Sequence, residues 1–581
     1  MLRQATARRL AACSCLAALC ALTLSSVAAS AQGGGARNGK DSLRFDPHTG
    51  GTAASVSVYG QTVNYTAYRV TYVSRPNDPE KQVMAIYIPS TATNNSPIFM
   101  PLKTGAYREI DILAPDTVTE ANVNTPSTGT AGTGATHAAA LALSKGIVVV
   151  SPAARGRNNT VVIDGVTSEV GNGPAALVDL KAAVRYLKYN DAVMAGDASK
   201  ITISGTSGGG AMSTLVGATG DSPAFSRYLE EIGAAPASDS VFAASPFCPI
   251  TDIDNADIGY EYYFSGSGVT TVRAGGPGQA RTIEFTANDI RLSAQMASMF
   301  PAYINGLNLK NPAGGAALKL NSHDADATMG GSYRDYFHAV INDGATRFFM
   351  ESGYVNADGT LNSAGQSYLA TAATINGAKS GLAPGDFLSW NPATKKASLT
   401  DQGKLAAYMN RLKPVGSFDN GYFQVTGEMD LFSTAPTALQ NEISNPAGWN
   451  HFDQNLGAAI AKAGLNGVAG YTSVNGFAIP DAVARWAAML NPMYYVASYR
   501  GSALKVNPYA ADMYGKSKVA RNWRIRVGSF DRDGTPFMSL NLATALRNRG
   551  DNVDYRIVWN QPHTGSYDNT DMIDWIIRIS K

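Results

Sequence analysis

The residues best placed to do chemistry are a serine in a glycine-rich turn and a histidine near the C-terminus. Gly205-Thr206-Ser207-Gly208-Gly209 fits the G-x-S-x-G pattern. It follows a strand-like run and precedes a helix-like one, the setting the pattern needs to act as a nucleophile elbow. The reason is steric: a tight strand-to-helix turn tolerates only small residues beside the serine, and it lifts the hydroxyl clear of the sheet. The backbone N–H of Gly208, at the positive end of the new helix, would face the carbonyl oxygen of a bound ester. An ordinary glycine-rich turn is the bland alternative, and the strand–helix setting outweighs it. A phosphate loop is a poor fit, because no Gly-Lys-Ser/Thr follows.

A serine nucleophile needs a base. His563 follows a strand-like run ending near Trp559 and lies eighteen residues from the C-terminus, the last place in a Ser…Asp/Glu…His order. Asp531 and Asp533 sit just after the preceding strand, where an acid would hold the imidazole tautomer. Position alone does not choose between them. For His48, His137, His323, His338 and His451 a loop, surface or satisfied core role is expected. A second oxyanion donor should follow an early strand. Gly105 or Ala106, after the strand ending near Met100, could supply it, although a plain turn glycine is equally compatible. Asp252-Ile253-Asp254-Asn255 lacks the glycine and glutamate offsets of a calcium loop, and no Cys/His cluster has metal spacing. Neither a metal nor an organic cofactor is expected.

Positioning these groups takes alternating strands and helices. Val70 to Val73, Met84 to Pro89, Pro97 to Pro101, Gly146 to Ser151 and Lys200 to Ser204 read as strands. His137 to Leu143, Ala175 to Leu187 and Ala211 to Ala218 read as helices, with 115–136 as a surface loop. The regularity lapses over 251–480. It returns as strand Trp523 to Gly528, helix Met538 to Asn548, strand Tyr555 to Trp559 and helix Met572 to Ile579. The expectation is a mostly parallel α/β unit, its first half at 51–250 and second half at 481–581, split by an inserted lid domain at 251–480.

Residues 1–31 read as a cleavable export signal. Arg3, Arg8 and Arg9 precede the apolar run Leu16 to Leu24, and Ala29-Ser30-Ala31 offers small residues for cleavage. Residues 32–50 read as a flexible segment. Loss of the signal would leave Cys248 as the one cysteine, so no intrachain disulfide, and would move the net charge from +2 to −1. That balance gives no footprint for nucleic acid, and no later segment would anchor the chain in a membrane. The expected location is secreted or periplasmic, with a small molecule as partner.

Several segments together resemble the bacterial tannases, esterases of the α/β-hydrolase fold that cleave gallic acid esters. They are the elbow with Gly217-Ala218-Thr219-Gly220-Asp221-Ser222, then Phe247-Cys248-Pro249-Ile250-Thr251-Asp252 with Asp257 and Tyr260-Glu261, then Asp531-Arg532-Asp533 with Pro562-His563. The resemblance covers both halves of the hydrolase unit and is patchy across a longer insertion. It implies a triad of Ser207, Asp531 and His563. It implies that Asp533, Lys413 and Glu428 bind the hydroxyls of a galloyl ring. Lys413 precedes Phe418-Asp419 at the family spacing, and Glu428 matches with one inserted residue. The elbow departs from many relatives in reading Ser-Gly-Gly rather than Ser-Ala-Gly, which a backbone donor tolerates.

The rival readings are a feruloyl or other aryl esterase, a serine peptidase of the same fold, and a non-catalytic binding protein on a decayed scaffold. Intact Ser207, Asp531 and His563 speak against the last.

Overall fold

The computed structural model describes residues 42–581 except 129–131, 158, 270, 275–280, 322–329, 373, 376–377, 380, 420–426, 434–449, 474–475 and 500–505. The signal read at 1–31 and His323 lie outside the described residues.

A nine-stranded sheet organises the molecule. Its strands in chain order are β1 (Thr52–Val58), β2 (Gln61–Thr71), β3 (Val83–Pro89), β4 (Ile98–Pro101), β5 (Val148–Pro152), β6 (Ile201–Thr206), β7 (Ala243–Phe247), β8 (Asn522–Gly528) and β9 (Asn552–Val558). In space they run β1-β2-β3-β5-β4-β6-β7-β8-β9. The six strands from β5 to β9 in that order are parallel, and β1, β2 and β3 join antiparallel. Central strands are covered on both faces and so carry no polar alternation: all of Ile201-Thr202-Ile203-Ser204-Gly205-Thr206 is buried. Strand β2, between edge strand β1 and β3, holds only exposed and half-buried residues instead.

The period of two sorts side chains to opposite faces. Met84, Ile86, Ile98, Met100, Val148 and Val150 join one core, and Ala85, Tyr87, Phe99 and Val149 join the other. The first core takes in helices α1 (Ala175–Tyr189) and α2 (Gly208–Ala218). The second contains Ala138 to Leu143 from the helix Thr133–Ser144 and Ile573, Trp575 and Ile576 from the closing helix Asn569–Ile579.

Most elements read from sequence are present, with differences that include a first helix beginning at Thr133 rather than His137 and a second strand running Gln61–Thr71 rather than Val70 to Val73. Helix α2 begins at Gly208 rather than Ala211, because the glycines after the serine already have helical backbone. Strands β1 and β7 were not singled out, since neither Thr52–Val58 nor Ala243–Phe247 shows a long apolar run. The segment read as flexible at 32–50 is pinned at its described end. Leu43 and Phe45 are buried, and the Asn190 amide bonds to Phe45 N–H and Leu43 C=O. The stretch between β7 and β8, irregular in sequence, holds long helices: α3 (Ile253–Phe264), α4 (Ala287–Gly306) and α5 (Ser332–Glu351). All twelve residues of α3 are buried. Among the described residues no helix is long and apolar enough to cross a membrane.

Candidate active site

Ser207 stands between β6 and α2 with φ 61° and ψ −122°, a left-handed backbone that a non-glycine residue adopts only when its surroundings enforce it. The enforcement is visible. Its N–H donates to Phe247 O at the end of β7 (3.1 Å), and its carbonyl accepts from Ala211 N–H (2.9 Å). Close packing explains the flanking glycines: a methyl on Gly205 would lie 2.5 Å from Gly209 O, and one on Gly210 2.5 Å from Phe247 O. The first N–H groups of α2 have no carbonyl inside the helix, so Gly208 N–H is free to point at a ligand.

His563 and Asp531 meet beside the same strand end. His563 Nδ1 lies 2.8 Å from Asp531 Oδ2. The other oxygen, Oδ1, accepts the N–H groups of Asp533 (3.0 Å) and Gly534 (3.3 Å). Cys248, next to the residue that binds Ser207, completes the junction. Its thiol donates to Thr564 O (3.2 Å), and Sγ, the Asp531 carboxylate and the His563 ring place donor atoms within 4.8 Å of one another. Among the described residues this is the one Cys/His/acid group tight enough to hold a metal ion, and the Asp531–His563 bond already occupies it.

The electrostatics follow from burial and charge. Burial alone would lower His563, yet Asp531 and then Asp533 outweigh it and hold the imidazole well above its usual value. Burial would raise Asp531, and the facing imidazolium with its hydrogen bond keeps that carboxyl below the usual range. Asp531 thus holds the ring directly, and Asp533 acts on it by its field.

The loop after β4 packs against the elbow. A methyl on Gly208 would lie 2.6 Å from Tyr107 N and 3.0 Å from Ala106 N. Gly105, whose carbonyl carbon would lie 3.3 Å away, Ala106 and Tyr107 all pack against the elbow, and Tyr107 is the one that sequence reasoning missed. The same closeness gives the Ser-Gly-Gly reading a physical cause, since an alanine at 208 would strike this loop. Ala106 and Tyr107 both have positive φ (52° and 57°). Arg157 stabilises that turn: its Nε donates to Ala106 O (2.7 Å) and its backbone N–H to Tyr107 O (3.0 Å). Its guanidinium also bonds Asp430. Asp430 belongs to the short helix α6 (Gly427–Leu431), which carries Glu428.

Of the three residues assigned to a ring by resemblance, Glu428 and Asp533 act on Tyr107 and His563 of this centre. Glu428 is buried rather than solvated, and its charge bears on Tyr107. Lys413 extends over the Phe418 ring, Nζ 4.1 Å from the centroid. Its backbone N–H donates to Tyr260 Oη (3.1 Å), and Tyr260 donates to Arg532 O (3.0 Å) between the two aspartates. Asp533 is half-buried beside His563.

Comparison with known proteins agrees with this arrangement. A family model described as BD-FAE matches residues 154–261. A tannin acyl hydrolase solved in complex with ethyl gallate is 27% identical, with 93% of this chain and 99% of that chain covered and a TM-score of 0.69. The Fusobacterium nucleatum tannase is 29% identical over the same shares, with a TM-score of 0.68. The tannin acyl hydrolase of Lactobacillus plantarum in its native form is 27% identical, again over 93% and 99%, with a TM-score of 0.68. This chain is a tannase-like α/β-hydrolase. No curated protein matches the sequence. Carboxylic ester hydrolysis is the reaction class of this tannase-like hydrolase. Its large mostly parallel sheet flanked by helices is the expected α/β-hydrolase fold.

Proposed function

We propose that this chain is an exported serine esterase that hydrolyses galloyl esters, with Ser207 as nucleophile, His563 as base and Asp531 as the orienting acid. The observation that carries the reading is the convergence at one strand end. The strained Ser207 elbow and the Asp531–His563 pair meet at the end of β7, and the charges of Glu428 and Asp533 bear on Tyr107 and His563, with Lys413 tied in through its backbone bond to Tyr260. Export rests on the signal features of residues 1–31.

In the first step Ser207 Oγ attacks the ester carbonyl and its proton passes to His563 Nε2. The Gly208 N–H and the Ala106 and Tyr107 N–H groups receive the oxyanion. The imidazolium then protonates the departing alkoxide. Water, deprotonated by the same ring, releases the acid from the acyl-enzyme. A galloyl ring presents three adjacent hydroxyls, each both donor and acceptor. One ammonium and two carboxylates complement them, and a ring without hydroxyls would leave those charges unpaired. Solved relatives hold ethyl gallate and 3,4-dihydroxybenzoate, which supports this substrate class.

The test is hydrolysis of methyl gallate beside methyl ferulate and methyl benzoate, by the wild type and Ser207→Ala. Gallate should be preferred over benzoate by about 10- to 100-fold, the worth of one or two polar contacts of about 1–3 kcal/mol. Activity should vanish in the variant. Equal rates on all three esters would remove the ring-binding assignment and leave the esterase.

A further inference from the structure

The stretch between β7 and β8 contains a second hydrogen-bonded series of serine, histidine and aspartate, outside the site above. His451 Nδ1 lies 2.7 Å from Asp419 Oδ1, and its Nε2 lies 2.8 Å from Ser473 Oγ. Asp419 is fully buried, and its Oδ2 accepts Phe452 N–H (2.7 Å) and Asp453 N–H (2.8 Å). Those two bonds fix the carboxylate and aim Oδ1 at the imidazole. The segment is held in turn by Asp257, which accepts the N–H groups of Phe418 (2.8 Å) and Asp419 (3.0 Å). Phe477 covers the imidazole, ring centroids 5.0 Å apart.

The direction of these bonds matters. An ionised Asp419 only accepts, so Nδ1 carries a proton. In the neutral ring Nε2 then holds the lone pair, and the Ser473 hydroxyl donates to it. A serine bonded to a base that a third group orients is the signature of an activated nucleophile. Burial differs along the series as reactivity requires. Asp419 and His451 are buried, while Ser473 is half-buried on a loop.

We propose that Ser473 is a second nucleophilic serine, with His451 as its base and Asp419 as the orienting acid, open to modification by small activated esters and by phosphonylating agents. In the phosphonylation step Ser473 Oγ bonds to phosphorus, the P–F bond breaks and fluoride leaves. The hydroxyl proton passes to His451 Nε2. Ser473 does not open a helix as Ser207 does, since the next described helix is Asp481–Met489. Without a donor at a helix N-terminus the transition state loses stabilisation worth roughly 10²–10³-fold in rate. Ser473 is accordingly a site of slow covalent modification rather than of rapid turnover.

The experiment treats full-length wild type, Ser207→Ala and Ser207→Ala/Ser473→Ala with a fluorophosphonate and follows intact mass and peptide maps. Incubation runs about a thousand times longer than saturation of the wild type requires. Ser207→Ala should gain one phosphonyl group on the peptide bearing Ser473, and the double variant should gain none there. His451→Gln in the Ser207→Ala background should slow this labelling, which a serine reacting without a base would not show. An inert Ser207→Ala protein, or an adduct at the same place in the double variant, overturns the proposal. The two readings fail separately: wild type labelled only at Ser207 keeps the Ser207 assignment and rejects Ser473, and labelling only at Ser473 does the reverse.

Discussion

At the scale of single residues, the site is built from groups held where they would not rest alone. Ser207 keeps a positive φ at a cost of about 1–3 kcal/mol, offset by its bond to Phe247 and the helix it opens. Asp531 and Asp533 are equivalent in sequence, and the geometry separates them: one holds Nδ1 at 2.8 Å, the other acts through space. This difference gives a pH prediction. Because both aspartates raise His563 above 6.5, the acidic limb of kcat/KM should lie above that value. Asp533→Asn removes one anion, makes the imidazolium less favourable and should move the limb to lower pH. Measured on methyl benzoate, which lacks ring hydroxyls, the shift reports the base rather than substrate binding. An unmoved limb would remove Asp533 from the electrostatics of the base.

Among the elements, the informative join is Arg157. It spans the loop carrying Ala106 and Tyr107 and helix α6 carrying Glu428. Its partner Asp430 lies 273 positions away in the chain. No local pattern could show that pairing, and a lone arginine after a strand gives no signal. If Arg157 holds two left-handed residues in place, its loss lets the donor loop relax. Arg157→Ala should then lower kcat by about 10- to 100-fold, bounded by the loss of one oxyanion donor, with a smaller effect on KM. Asp430→Asn should act in the same direction, and the double variant should lose less than the product of the two. Multiplicative losses in steady-state kinetics would show that the residues work independently.

For the molecule as a whole, buried acids tie distant segments of the stretch between β7 and β8 to one another. Among the described residues, Asp252 and Asp254 have no cation among their bonded partners. Asn255, Asn491 and Tyr303 donate to the first, and Asn491, Tyr494 and Gln454 to the second. Burial raises both carboxyls above 3.8, and the nearby Asp252 raises Asp254 further. Each therefore binds its proton more tightly folded than unfolded. Their contribution to stability is whole below pH 3.8 and wanes as pH rises toward neutral. The urea midpoint should fall over that range, and Asp254→Asn, which cannot ionise, should flatten the fall. A slope identical to the wild type would assign the dependence to other groups.

The sequence by itself determined what local chemistry determines. The small residues of the elbow and the apolar runs of β3 to β6 follow from sterics and periodicity within a few residues, whereas the preference for Asp531 over Asp533 rested on the family resemblance. The tertiary structure decided everything that depends on distant partners. It packed the loop of Gly105, Ala106 and Tyr107 against the elbow, buried Glu428 and docked Leu43 and Phe45 on Asn190. It also turned Arg524 and Arg526 of β8 inward, where Asp568, Asp571 and Asp554 pair with them. Hydrophobic pattern cannot announce such arrangements, because a buried charge or a strained turn is stable only when the folded chain brings its partner to it.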